Sequence, residues 1–182
     1  VLGVSEFEKA LGGLTSSNNT DGGETARTIG TFLNWMAEQQ EVFVFATAND
    51  VRALAPEQIR HGRFDHILFV DLPGHEARQA IFAVHLRRVG RDPRAFDLPA
   101  LADASPQFSG AESEAAVKEG LARAFADGRR EVESEDVARA ARGIRPIAIV
   151  RADEIKGLRE WASSHGIASA DGDDGAGQAV PG

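Results

Sequence analysis

An α/β segment built on a parallel sheet, followed by an all-α segment, is what these 182 residues predict. Three observations lead there. The short apolar runs VLGV, EVFVFATA and HILFVDLP alternate with helical periodicities up to Val89, an order that lays helices over a mostly parallel sheet. After Gly90 no strand pattern returns and helical stretches follow one another. Apolar residues make up 42% of the chain, enough to build a core.

VLGV, residues 1–4, reads as a buried strand. SEFEKAL opens a helix that Ser5 can cap, because a serine hydroxyl accepts one of the free amides of a first turn. Gly12 to Glu24 is glycine and small polar residues, the composition of a loop. In TARTIGTFLNWMAEQ, Ala26, Ile29, Leu33 and Met36 share one helical face, with Phe32 beside them. EVFVFATA is β-branched, aromatic and continuous, as a buried strand is; Asn49 and Asp50 close it. A short helix or turn spans Arg52 to Ile59 around Pro56. HILFVDLP is the next strand, ended by Pro73. GHEARQAIFAVHLRRV is helical from about His75, with Ala77, Ala80, Ile81, Val84 and Leu86 near one stripe.

LPALADAS then makes a short helix. Ser109 and Glu112 form the S-x-x-E capping box of a longer one, and Gly128 stops it. SEDVARAARGI is a helix capped by Ser134, with Val137, Ala140, Ala141 and Ile144 inward. RADEIKGLREWASSHG is the last. Trp35, Phe125 and Trp161 read as core residues rather than ligand platforms. The organisation expected is an α/β segment over residues 1–89, an all-α segment over 90–166, and an acidic tail over 167–182. That tail is Gly, Ala and Asp with little to bury, and is expected to be disordered.

The net charge of −8 has no basic block in it, which counts against nucleic-acid binding by phosphate neutralisation. The absence of cysteine excludes disulfides, thiolate zinc sites and a cysteine nucleophile, and fits a reducing, cytoplasmic setting. No apolar run approaches the roughly 18 residues of a membrane helix. The chain opens on Val1 inside a strand-like run, which suggests a fragment of a longer protein.

The stretch from Thr47 to Gly74 sets Asn49 at a strand end, then LAPEQIRHGRFD, then a strand ending in DLP. This order resembles the second region of homology of the AAA+ ATPases. VLGVSEFEKAL resembles their Walker-B strand and following helix, and FSGAE the start of the nucleotide-facing helix in their helical lid. DGGETARTIGTFLNWMAE, with VFVFATAND, GRFD and RRVGRDPRAFDLPALADAS, is similar to the stand-alone AAA module of cyanobacterial and chloroplast type. The resemblance runs from Val1 to about Trp161. It implies an incomplete P-loop NTPase-type sheet (Walker B onward) followed by a helical lid.

The resemblance also implies roles. Asn49 corresponds to the sensor-1 residue that orients the attacking water, a reading favoured over the alternative of a polar strand-end cap. Arg60 and Arg63 correspond to arginines offered across a subunit boundary, where a guanidinium forks onto phosphate oxygens; alternatively they pair with Asp65 or Glu57. Glu6 corresponds to the Walker-B glutamate, the general base. Ser5 stands where the family carries Asp, and Gly3 where it carries a bulky residue. A serine is neutral and shorter than aspartate and binds a hard cation less well. Ile81 and His85, one helical turn apart, correspond to residues around adenine; His85 alone reads as a half-buried core histidine. Gly110 and Ala111 correspond to the small lid pair that approaches the nucleotide, a role compatible with simple capping by Ser109.

No G-x-x-x-x-G-K-[ST] occurs in the sequence; Lys9, Lys118 and Lys156 follow no glycine-rich loop. In the family the phosphate loop precedes the Walker-B strand, and its strand lies between those matching VFVFATA and HILFVD. Without it those two strands either keep a gap or pair directly. The resemblance implies ATP and Mg²⁺ as cofactors and a homo-oligomeric ring that remodels a protein partner, with no membrane. The chain alone is expected to be inactive. The competing reading is a non-hydrolysing assembly or scaffold subunit, which Ser5 favours and Asn49 and Glu6 oppose.

Overall fold

The computed structural model describes residues 1–12, 31, 32, 34–36, 38, 42–50, 52 and 64–170. Two compact units divide it, Val1–Ile67 and Leu68–Gly182. The helix at residues 75–88 packs with the helices that follow it.

In the first unit, strand β1 (Leu2–Val4) lies parallel to β2 (Val44–Ala46), pairing Leu2 with Val44, Gly3 with Phe45 and Val4 with Ala46. Parallel neighbours need a crossover between them, and residues 31, 32, 34–36 and 38, which are helical, lie in it. The ladder extends past β2, where Thr47 donates its N–H to Val4 O at 2.9 Å and accepts from Phe7 N–H at 2.8 Å. Helix α1 (Phe7–Gly12) therefore leaves β1 tied to the end of β2. It begins at Phe7, so Ser5 sits outside the cap position and Glu6 occupies it. Phe7 is buried, edge-on to Phe64 at 5.5 Å and tilted against Phe32 at 6.4 Å, with Trp35 stacked on Phe32 at 5.9 Å. The VFVFATA strand is shorter and more open than a buried strand: Phe43 and Phe45 are 67% and 58% exposed. Alternation explains this, since Phe43 and Phe45 share the face opposite Val44 and Ala46.

The second unit opens with β3 (Leu68–Phe69), which pairs in parallel with β4 (Ala168–Ser169). Among the described residues the strands form two separate two-stranded sheets, β1–β2 and β3–β4. The tail expected to begin at Ile167 is thus ordered as far as Ala170, whose N–H donates to Phe69 O at 2.8 Å. The Phe69 carbonyl of β3 accepts a hydrogen bond that tail composition alone does not foretell.

Between these strands run α2 (His75–Arg88), a 3₁₀ turn (Pro93–Ala95), α3 (Leu98–Asp103), α4 (Gly110–Ala126), α5 (Ser134–Gly143), the short α6 (Ile147–Val150) and α7 (Ala152–Ser164). The core is formed by Phe82 and Leu86 of α2, Leu101 of α3, Phe108, Val117 of α4 and Val137 of α5. The α2 stripe is displaced from the one expected: Phe82, Ala83 and Leu86 are buried, whereas Val84 is 42% exposed and Ile81 half-buried. AIFAV is apolar all round, so its pattern fixes no phase. α4 and α5 approach so closely that a Cβ on Gly120 would lie 3.0 Å from the backbone N and Cα of Val137.

Caps set the helix ends. Ser109 N–H and Oγ reach Glu112 Oε2 at 2.7 and 2.9 Å, the capping box read from the sequence. Gly128, at φ +72°, turns the chain after α4. Ser134 does not cap α5. Glu133 holds the cap position, donating its N–H to Asp136 Oδ2 at 2.9 Å, while Ser134 Oγ accepts the Asp97 N–H at 2.9 Å. Phe125 is not core either: it is 63% exposed beneath the Arg129 guanidinium, 5.3 Å from the ring centre.

Candidate functional site

The parallel register of β1 and β2 puts the residues just beyond their ends side by side. Glu6 follows β1 and Asn49 follows β2, and Asn49 Nδ2 lies 3.5 Å from Glu6 Oε1, a long contact. Glu6 takes a left-handed conformation, φ +54°, a strained choice for a residue with a Cβ. Lys9, one turn along α1, donates to Glu6 Oε1 at 2.6 Å. The hydrogen bond and the charge of Lys9 hold the Glu6 carboxyl below its ordinary value, against an opposing effect of burial and with a lesser contribution from Asn49. Glu6 is therefore an anion at neutral pH, able to accept a proton. A second carboxylate, Glu8, is buried and accepts from Asn49 Nδ2 at 3.1 Å. Arg60 and Arg63 lie outside the described residues.

Within the second unit, Ile81 and Gly110 meet at one cavity of about 480 Å³. Phe69, Leu72, Pro73 and Ala77 line it from β3 and α2, Ser109 from the start of α4, and Ile155 and Leu158 from α7. Its walls are mostly aliphatic, and its volume falls within the roughly 300–1,000 Å³ of small-molecule pockets. Asp71 stands at its edge, gripped by Arg159 of α7 through Nε–Oδ2 and Nη2–Oδ1 contacts of 2.8 Å each. Burial raises the Asp71 carboxyl, but the hydrogen bonds from Arg159 and from Leu72 N–H outweigh it, and the net shift is downward. His85 is half-buried one turn beyond Ile81, its Nδ1 buried without a partner among the described residues. It does not line the cavity, and neither does the exposed Ala111.

Sequence reasoning missed Glu8, Lys9 and the Asp71–Arg159 pair. Lys9 was legible in principle, at i+3 from Glu6. Glu8 and Asn49 are 41 positions apart, and Asp71 and Arg159 are 88 apart, so only the folded chain joins them.

The described residues do not by themselves fit a magnesium site. None of them gather as three or more His, Asp or Glu side chains placed to hold a metal ion, and Ser5 offers a neutral hydroxyl where a carboxylate would serve. The aliphatic cavity, by contrast, offers a mostly apolar surface. No helix among the described residues is long and apolar enough to cross a membrane.

Residues 1–72 match the sequence model of the ATPase family associated with various cellular activities (AAA). The AAA domain-containing protein ycf46 of Pyropia yezoensis is 39% identical over 164 residues, 89% of this chain and 33% of that protein. Its counterpart in Guillardia theta is 37% identical over 166 residues, 90% of this chain and 32% of that protein. The ATP-dependent zinc metalloprotease FtsH of Acidothermus cellulolyticus is 35% identical over 129 residues, 71% of this chain and 19% of that protein. The chain thus spans about one third of the length of the ycf46 relatives it matches.

Proposed function

Because residues 1–72 belong to the AAA family of ATPases, we propose that this chain forms one wall of an ATP site in an oligomeric AAA+ assembly that remodels a partner. The observation that carries the reading is the meeting of Glu6 and Asn49, brought from 43 positions apart to the ends of two adjacent parallel strands. Ligands of open α/β sheets bind outside the carboxyl ends of the strands, and both residues stand there.

In this reading water attacks the γ-phosphorus of ATP, the bond to the bridging oxygen breaks, and the proton of the water passes to the Glu6 carboxylate. Asn49 orients that water. Arg60 and Arg63 of one subunit reach a neighbour's nucleotide and spread the negative charge of the transition state. Ile81, His85, Gly110 and Ala111 form the adenine side. The aliphatic cavity at Ile81 and Gly110 supports the first and third of these; His85 and Ala111 rest on the family pattern. Residues 1–89 act as the α/β part and 90–166 as the lid.

The phosphate-cradling loop is absent from these residues, so the chain alone is expected to turn over no ATP. Mixing it with a P-loop-bearing relative and measuring phosphate release tests the reading. Turnover is expected to appear on mixing and to fall at least tenfold with Arg60→Ala, since arginine fingers contribute about 10³–10⁵. Turnover that Arg60→Ala leaves intact sinks the proposed action in trans, and binding without any turnover favours a scaffold subunit.

A further inference from the structure

Glu8 is a buried carboxylate to which the hydrolytic reading gives no task. It is 8% exposed, in the first turn of α1 beside the buried Phe7. Burying a carboxylate is unfavourable unless donors meet it. Glu8 Oε1 has one, Asn49 Nδ2 at 3.1 Å, while Oε2 is buried with no partner among the described residues. An ordinary surface contact does not account for so costly a placement.

The chemistry of the two groups fixes how Asn49 is turned. An amide has one end that donates and one that accepts, whereas a carboxylate only accepts. Asn49 faces two carboxylates, Glu8 at 3.1 Å and Glu6 at 3.5 Å. It must show both of them its nitrogen. The closer and buried one sets the orientation; Glu6, exposed and engaged by Lys9 at 2.6 Å, is the weaker hold.

We propose that Glu8 is a positioning residue: it pins the amide nitrogen of Asn49, so that Asn49 presents Oδ1, an acceptor, to the water beside Glu6. This rests on the hydrolytic reading of the same corner. A water whose two O–H groups are taken by Asn49 Oδ1 and the Glu6 carboxylate has a lone pair left for phosphorus. An Asn49 turned the other way would donate to the water and compete for that lone pair.

The full 182-residue chain, labelled with ¹⁵N at asparagine, tests this without nucleotide. Its asparagines are Asn18, Asn19, Asn34 and Asn49, and Asn49→Ser identifies the side-chain amide of interest. Glu8→Ala is expected to move that amide toward the free-asparagine position and to speed its proton exchange on the order of tenfold. Glu8→Gln, with the same shape and a carbonyl acceptor, is expected to keep most of the shift. Unaltered circular dichroism confirms that each variant folds. Asn49 amide signals identical in the chain and in folded Glu8→Ala overturn the proposal. With this chain fused behind the phosphate-loop half of a P-loop-bearing relative, so that Glu6 and the nucleotide share one subunit, Glu8→Ala is expected to lower kcat on the order of tenfold or more with KM unchanged, and Glu8→Gln to restore most of it. Turnover lost in Asn49→Ala but unchanged in Glu8→Ala removes the positioning role and leaves the hydrolytic reading standing. Turnover indifferent to both removes the two together.

Discussion

Arg130 gathers the loop between α4 and α5 through one guanidinium. It holds both oxygens of Asp136 at 2.6 and 2.7 Å and Asp127 Oδ2 at 2.8 Å, and donates to Glu131 O at 3.1 Å. Asp136 is 7% exposed and also accepts the Glu133 N–H. The Arg130 hydrogen bonds, against the effect of burial and with help from Glu133, pull the Asp136 carboxyl from 3.8 to about 2. A carboxyl depressed on folding contributes stability that is complete above its unfolded value and lost as pH falls through its folded one. Stability from this pair is therefore expected to fall between about pH 4 and pH 2. Solvent reaches Arg130, whose side chain is 38% exposed, so screening makes the loss smaller than the full shift would give. Urea unfolding across that range measures it. Asp136→Asn should flatten this part of the profile, and an unchanged slope would count against the assignment.

At the scale of elements, close helix contact does more than propensity. Alanine normally improves on glycine inside a helix by up to about 1 kcal/mol. At Gly120 the added methyl would press on the Val137 backbone at 3.0 Å and on Val137 Cγ2 at 2.9 Å. Gly120→Ala is therefore expected to destabilise by about 1–3 kcal/mol, whereas Gly143→Ala, with nothing within 4 Å of its Cβ, serves as the near-neutral comparison in the same urea titration. Legibility follows the same division. Helix ends carried by local chemistry, Ser109 with Glu112 and Gly128 after α4, were readable because the partners lie within a few residues. Ser134 was misread because the adjacent Glu133–Asp136 pair competes for the same cap. The α2 stripe was misread because AIFAV has no polar face to set its phase. Of the expected site residues, the strand ends at Glu6 and Asn49 and the pair Ile81 and Gly110 came from ordered motifs. Glu8 and the Asp71–Arg159 bridge depend on long-range folding, which no local pattern encodes. Glu112 joins both kinds: it closes its own cap and also accepts the N–H of Ile147 at the start of α6.

On the scale of the whole molecule, the fully buried apolar side chains among the described residues concentrate in Leu68–Gly182, where Phe82, Leu86, Leu101, Phe108, Val117 and Val137 are nearly inaccessible. In Val1–Ile67, the large apolar side chain that is buried among those described is Phe7, at 4% exposure. Opening free energy follows buried apolar contact. Hydrogen exchange should therefore be slowest in α4 and α5 and markedly faster at β1 and β2; equal protection in both units would contradict this placement of the core. The pairing of β3 with β4 has a separate consequence. Leu68 and Ala168 are strand neighbours, so the segment from Leu68 to Ala168 begins and finishes at nearly the same point in space. A piece with adjoining entry and exit can be spliced into a host loop, or have its own order of helices rotated, without stretching the backbone. In that respect these hundred or so residues are a ready-made insertion cassette.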